Sequence, residues 1–168
     1  NRVLKKYLNV GVIVLPRMVK IHIFRSYPVS KKKYFMQDIG IISKIFKMKT
    51  IAVVGMSPKL ERPSHYVSQY MAHNGYDIIP VNPWHTQILD KKSYRTLLDI
   101  EQPIDIVNIF RRSEYVLPIV KDAVKIKTKA IWLQDGVISY DGEKLAQENN
   151  ILFIMNDCLL RRHIQIYV

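Results

Sequence analysis

Five short apolar runs, separated by segments with helical periodicity, set the pattern of this chain. The first run, Ile51–Val54, contains no polar residue, which is typical of a strand buried on both faces. The runs predict strands over Thr50–Val54, Asp77–Val81, Asp105–Phe110, Ala130–Leu133 and Ile151–Met155.

The segments between these runs predict helices. Apolar residues recur at helical spacing over about Ser64–His73 and Glu114–Ile126, and a polar helix is predicted over about Asp141–Glu148. One more helix, capped by Asp38, precedes the first strand. The segment 84–100 is interpreted as loosely structured.

Strands that alternate with helices of about ten residues predict an α/β fold with a mainly parallel, doubly wound, five-stranded sheet. We expect the strand order 3-2-1-4-5, with strands counted along the chain. Ligands of such sheets bind at the carboxyl ends of the strands, beside the first strand. This rule selects the loops Gly55–Pro63, Asn82–His85, Phe110–Ser113 and Gln134–Gly136.

The charge of the chain is unevenly distributed. The formal net charge is +12, but nine of the 26 Lys and Arg residues lie in residues 1–35, which contain no Asp or Glu. Residues 36–168 therefore carry 17 basic against 14 acidic residues. We interpret residues 1–35 as a basic N-terminal extension and residues 36–168 as one domain that begins at Met36. The near-neutral domain argues against a general nucleic-acid surface, since such surfaces are strongly basic.

Composition excludes several other classes of protein. One cysteine, Cys158, permits no internal disulfide and suits a reducing compartment, so a cytoplasmic protein is expected. No apolar run reaches the roughly 18 residues of a membrane span. The five histidines show no metal-ligand spacing, so no metal site is expected. Cys158 with His163 lacks a third orienting group, and no catalytic set is predicted.

The turn after the first strand carries the clearest candidate chemistry. Gly55 has no Cβ, so a ligand phosphate is expected to approach the backbone there, and Ser57 and the helix N-cap Ser64 offer hydroxyls. A strand, a glycine turn and a helix N-terminus together form a common anion site. The turn lacks the G-x-G-x-x-G pattern, so an ordinary tight turn stays an alternative.

Three further loops add polar groups. Arg111 and Arg112 follow the third strand, where adjacent guanidiniums suit phosphate oxygens. Asn82 follows the second strand, where an NAD-binding fold places Asp or Glu, so NAD is disfavoured and a 2′- or 3′-phosphate is tolerated. Gln134 either contacts a ligand or fixes the turn that follows it.

Five segments together resemble one family. They are TIAVVGMSPKLERPSHYVSQYM, GYDIIPVNP, DIVNIFRRSEYV, AIWLQDGV and MNDCLLRRH, in this order. The set resembles the small stand-alone CoA-binding proteins, which are similar to the CoA-binding domain of the succinyl-CoA synthetase alpha subunit. The resemblance runs from about residue 37 to residue 163.

This resemblance implies a Rossmann-like domain with coenzyme A lying across the strand ends. It implies that the pyrophosphate meets the backbone at the glycine turn, that the adenosine lies beside the second strand, and that the third- and fourth-strand loops complete the cleft. The expected binding residues are Gly55, Met56, Ser57, Lys59, Asn82, Pro83, Arg111, Arg112, Ser113, Gln134 and Gly136.

The expected function is binding of coenzyme A or an acyl-CoA by a module without chemistry of its own. Ligase activity is not carried over, because no counterpart of the synthetase's catalytic histidine region is found. The alternative is an NADP- or CoA-dependent enzyme. A partner protein or a homodimer stays open.

Overall fold

The computed structural model describes residues 40–168. The predicted extension over residues 1–35, the domain start at Met36 and the cap Asp38 lie outside these residues. The strands are β1 (Thr50–Val54), β2 (Asp77–Val81), β3 (Gln87–Ile88), β4 (Lys91–Lys92), β5 (Ile106–Ile109), β6 (Ala130–Leu133) and β7 (Leu152–Ile154).

Five helices accompany these strands in the described part of the chain. Helix α1 is described over residues 40–45, and the others are α2 (Pro63–His73), α3 (Val116–Lys125), α4 (Tyr140–Glu148) and α5 (Leu159–Tyr167). None of them is long and apolar enough to cross a membrane. Short 3₁₀ turns lie at Leu97–Asp99 and Ser113–Tyr115. The predicted strands and helices are therefore present within a few residues of their expected limits.

The main sheet is parallel and five-stranded, which confirms the predicted α/β, Rossmann-like fold class. Its order is β2-β1-β5-β6-β7, so the five main strands follow 2-1-3-4-5 and the expected order 3-2-1-4-5 is wrong. Pro80, in the middle of β2, explains the difference. Proline has no N–H to donate to a second neighbour, so a strand that contains it belongs at the edge of a sheet.

The chain from β2 to β5 crosses over β1 to reach this position. It first forms the β3–β4 hairpin beside the edge strand, where Tyr94 N–H donates to Pro80 O at 3.0 Å and Asn82 N–H donates to Tyr94 O at 2.8 Å. Leu97, Ile100 and Ile104 then pack against the sheet. The segment that the sequence analysis interpreted as loosely structured is thus an ordered crossover.

Helices cover both faces of the sheet. On one face, α2 packs Val67 and Met71 against β1, together with residues from α1 and with Leu159 of α5. On the other face, the crossover and helices α3 and α4 bury a second cluster that includes Val120 and Ala146. These two layers cover the faces of the sheet. The edge formed by the carboxyl ends of its strands is occupied by loops.

Candidate functional site

A cleft lies at the carboxyl edge of the sheet, over the ends of β1, β5 and β6. The observed strand order reverses between β1 and β5, which is the position where ligands bind in open α/β sheets. The cleft has a volume of about 740 Å³. It is lined by Gly55, Ser57, Lys59, Arg62, Pro63, Ser64, Tyr66, Val67, Phe110, Arg111, Arg112, Gln134, Asp135, Gly136, Val137 and Cys158.

Gly55 is held close to the end of β5. Its φ of 84° lies in the left-handed region, and its N–H donates to Val81 O at 3.0 Å. A Cβ built on Gly55 would lie 2.8 Å from Phe110 O and 2.9 Å from Arg111 Cδ. The β5 exit thus occupies the space on the Cβ side of Gly55, and the glycine lets the two turns pack together while it still lines the cleft.

The loop after Gly55 is fastened to the start of α2. Ser57 N–H donates to Ser64 Oγ at 3.0 Å, and His65 Nδ1 donates to Ser57 O at 2.9 Å. Arg62 is the N-cap, without a side-chain hydrogen bond in this role, and Pro63 opens the helix, so the expected cap Ser64 lies one residue further in. Met56 is fully buried and packs in the core.

Four basic side chains line the cleft. Lys59 and Arg62 come from the first loop, and Arg111 and Arg112 follow β5. All four are exposed, and the Arg112–Glu114 pair is long at 3.9 Å between exposed groups, so solvent screens it strongly. The N-terminus of α2 faces the same space and adds a partial positive charge. The cleft is thus suited to a polyanion.

The exit of β2 lies beside the cleft but does not line it. Asn82 Nδ2 donates to Met56 O at 2.7 Å, and Asn82 Oδ1 accepts from Trp84 N–H at 2.9 Å. Asn82 thereby ties the β2 turn to the glycine turn, with Pro83 and Trp84 exposed next to it. Ser113 also lies outside the lining, where its hydroxyl accepts from Ile138 N–H at 3.0 Å.

The exit of β6 forms the far wall of the cleft. Gln134 is buried, and its Nε2 donates to Asn108 Oδ1 at 2.8 Å. Gly136 has a φ of 78° and donates its N–H to Asn156 Oδ1 at 2.8 Å. Asp135 lies between them, where hydrogen bonds from Arg161, which outweigh the effect of burial, hold the pKa of its carboxyl below the usual range.

A family model described as "CoA binding domain" matches residues 49–164, which include every part of this cleft. The chain belongs to the CoA-binding domain family. This match confirms the resemblance seen in the sequence, and the cleft lies within the matched CoA-binding domain.

Several relatives share this domain. The uncharacterized protein YneT of Bacillus subtilis (strain 168) is 38% identical over 117 residues, which are 70% of this chain and 87% of YneT. Acetate–CoA ligase [ADP-forming] II of Archaeoglobus fulgidus is 29% identical over 129 residues, which are 75% of this chain and only 19% of the ligase. This chain thus matches a small part of that enzyme.

The fold is shared with solved structures. A hypothetical protein from Pyrococcus horikoshii OT3 superposes with a TM-score of 0.76 at 30% identity, covering 86% of this chain and 99% of that chain. That protein is covered almost to its ends, so the shared fold extends over nearly its whole length.

The cleft contains residues that the sequence analysis did not select for binding. Phe110 and Val137 line it because each adjoins a selected residue at a strand exit. Cys158 lines the wall at the start of α5. His163 is buried, its Nδ1 is 3.1 Å from Tyr70 Oη, and burial lowers its pKa. The observed strand order, which brings β6 and the α5 start to the β5 exit, is the signal that selects these wall residues.

Proposed function

We propose that this CoA-binding domain binds coenzyme A or an acyl-CoA in the cleft and acts as a binding or regulatory module without chemistry of its own. The observation that carries the proposal is the convergence of four basic side chains and a helix N-terminus on one cleft at the strand-switch point. Coenzyme A carries a pyrophosphate and a 3′-phosphate, which match this charge. The single cysteine suits a cytoplasmic location.

The basic side chains supply most of the phosphate binding in this proposal. The amides of Gly55 and Ser57 already donate to Val81 O and Ser64 Oγ. The guanidiniums of Arg111 and Arg112 are exposed at the rim and present forked donors to phosphate oxygens. The pyrophosphate is therefore proposed to lie between these two arginines and the start of α2.

The two ends of the ligand follow from this position. The adenosine is proposed to lie towards the β2 exit, beside Asn82 and Pro83, which are fixed to the glycine turn. The pantetheine arm is proposed to run along the β6 wall, past Gln134 and Gly136 towards Cys158. An acyl group carried on the thiol would then leave the cleft at that end.

Isothermal titration with coenzyme A, dephospho-CoA, NADP and NAD tests the proposal. We expect coenzyme A to bind most tightly. Loss of its 3′-phosphate should weaken binding, because the net positive charge of the cleft attracts that phosphate. Tighter binding of NADP would favour the alternative of an NADP-dependent enzyme. Absence of binding to any of the four would overturn the proposed function.

The variant Arg111→Ala/Arg112→Ala tests where the phosphates lie. We expect a loss of affinity for coenzyme A of about 100-fold, at about 1.5 kcal/mol for each charged contact, with little change in melting temperature because both side chains are exposed. The variant Lys121→Ala/Lys125→Ala on α3 removes the same charge away from the cleft and serves as the control. Equal affinities of the two variants would place the phosphates elsewhere.

A further inference from the structure

Asp135 is an unexpected residue in an anion-binding cleft. Among the described residues that line it, Asp135 is the single acidic one, beside four basic residues: Lys59, Arg62, Arg111 and Arg112. An unpaired carboxylate there would repel a phosphorylated ligand. Its side chain is about half exposed, at 57%, so it is not hidden from the cleft by burial.

Arg161 neutralises this carboxylate with good geometry. Its Nη1 donates to Asp135 Oδ2 at 2.9 Å and its Nη2 to Asp135 Oδ1 at 2.8 Å, so both oxygens are engaged by one guanidinium. Such a bidentate pair is more directional than an ordinary surface ion pair. Arg161 comes from the first turn of α5, which the sequence separates from Asp135 by 26 positions.

A second carboxylate fixes the guanidinium in place. Asp157 Oδ1 accepts from Arg161 Nη2 at 2.8 Å, and its other oxygen accepts from Arg162 Nε. Asp157 is itself buried, and its backbone carbonyl accepts from the core residue Trp132 through Nε1 at 2.7 Å. Arg161 is therefore held from the core side while it holds Asp135 at the cleft wall.

We propose that Arg161 is a positioning residue for the anionic ligand, which keeps the Asp135 carboxylate paired so that the β6 wall is electrically neutral towards the ligand. This inference rests on the proposed function, since it concerns the same cleft and the same coenzyme. It assigns a binding role to the C-terminal helix, although Arg161 does not line the cleft.

A set of four proteins tests this role: the wild type, Arg161→Gln, Asp135→Asn and the double variant. With coenzyme A at low salt, we expect Arg161→Gln to bind about tenfold more weakly, because a freed carboxylate faces several ligand charges. The loss should shrink to about twofold at high ionic strength. Asp135→Asn alone should bind at least as tightly as the wild type, and the double variant should recover wild-type affinity.

The recovery in the double variant separates this role from a merely structural one. If Arg161 only stabilised α5, the double variant would bind as weakly as Arg161→Gln, and this result would overturn the inference. Lys125→Gln, which removes an exposed ion pair with Asp122 on α3, is the matched control and should bind as the wild type does.

The outcomes also separate the inference from the proposed function. Binding of coenzyme A by the wild type, with unchanged affinity in Arg161→Gln, would remove the inference and leave the proposed function standing. Failure of the wild type to bind coenzyme A would remove both. Melting temperatures of all five proteins show that each is folded at the temperature of the titration.

Discussion

Gly55, in the turn after β1, has a packing role that the sequence did not indicate. The turn was expected to be open to a ligand, yet the position of a Gly55 Cβ is occupied by Phe110 O and Arg111 Cδ. The glycine is therefore required by the protein itself, which packs two strand exits against each other. This contact also sets where Arg111 begins its path into the cleft.

Replacement of Gly55 by alanine should measure this close approach. We expect Gly55→Ala to destabilise the fold by about 3 kcal/mol, through strain at positive φ plus displacement of the β5 exit. Gly75→Ala is a matched control, because Gly75 has the same φ of 84° and no atom within 4 Å of the added Cβ. It should cost about 1 kcal/mol. If urea unfolding gave the same loss of stability for both variants, the backbone at Phe110 would have moved aside at no cost in free energy.

Among the secondary-structure elements, the strands and helices could be predicted well, but their order could not. Apolar runs mark buried strands, so β1, β2 and β6 begin and end as expected. Alternation says nothing about which strands are neighbours, and the crossover from β2 to β5 carries no periodic pattern long enough to detect. Pro80 was the one local signal for the order, since it marks an edge strand.

The position of the candidate site could be predicted from the strand ends, but the pairing of its side chains could not. The carboxyl-edge rule needs only strand ends, so it selected Gly55, Arg111 and Gly136, which all line the cleft. Side-chain pairing cannot be derived from strand ends. The pairing of Gln134 with Asn108, and of Asp135 with a helix 26 residues later, depends on tertiary packing.

The β2 exit turn offers a spectroscopic test of where the adenosine binds. The chain has two tryptophans, of which Trp84 is 85% exposed on this turn and Trp132 is fully buried. We expect coenzyme A to quench or shift Trp84 emission, because a base near Asn82 and Pro83 would contact the indole. Pantetheine alone should not.

The variant Trp84→Phe supplies the control for this measurement. Its emission comes from Trp132 alone, and coenzyme A should leave that signal unchanged. An unchanged emission of the wild type on binding of coenzyme A, or a response of the same size in Trp84→Phe, would mean that the adenosine does not contact Trp84 at the β2 exit.

For the molecule as a whole, one carboxylate connects three strands at the end of the sheet opposite the cleft. Asp105 Oδ2 accepts from Lys49 N–H at 3.0 Å and Thr50 N–H at 3.1 Å, and its Oδ1 accepts from Lys129 Nζ at 2.6 Å. The starts of β1, β5 and β6 thus meet at one side chain. Burial opposes ionisation, but these hydrogen bonds prevail and lower the pKa of Asp105 to about 2.

The stability of the fold should therefore depend on Asp105 in acid. Because its folded pKa lies below its unfolded value, its contribution is complete above about pH 4 and is lost as the pH falls towards 2. Asp105→Asn should be about 1–2 kcal/mol less stable than the wild type near neutral pH, and this gap should narrow at about pH 2.5.

Urea unfolding across this pH range measures the gap. Asp122→Asn, which removes a carboxylate paired with Lys125 on the exposed side of α3, is the control and should change stability little at any pH. A gap for Asp105→Asn that stays constant between neutral and acid pH would contradict this role for Asp105.

Pro80 in β2 also limits pairing of this sheet edge with a strand from a second molecule. Along that border Pro80 has no N–H to donate and its outward carbonyl already accepts from Tyr94 N–H, so the hydrogen-bond ladder open to an incoming strand is interrupted there. Within the described residues, the opposite border is Leu152–Ile154, which pairs with β6 alone. Continuation of the sheet into a second molecule is thus favoured along the three residues of β7 over β2.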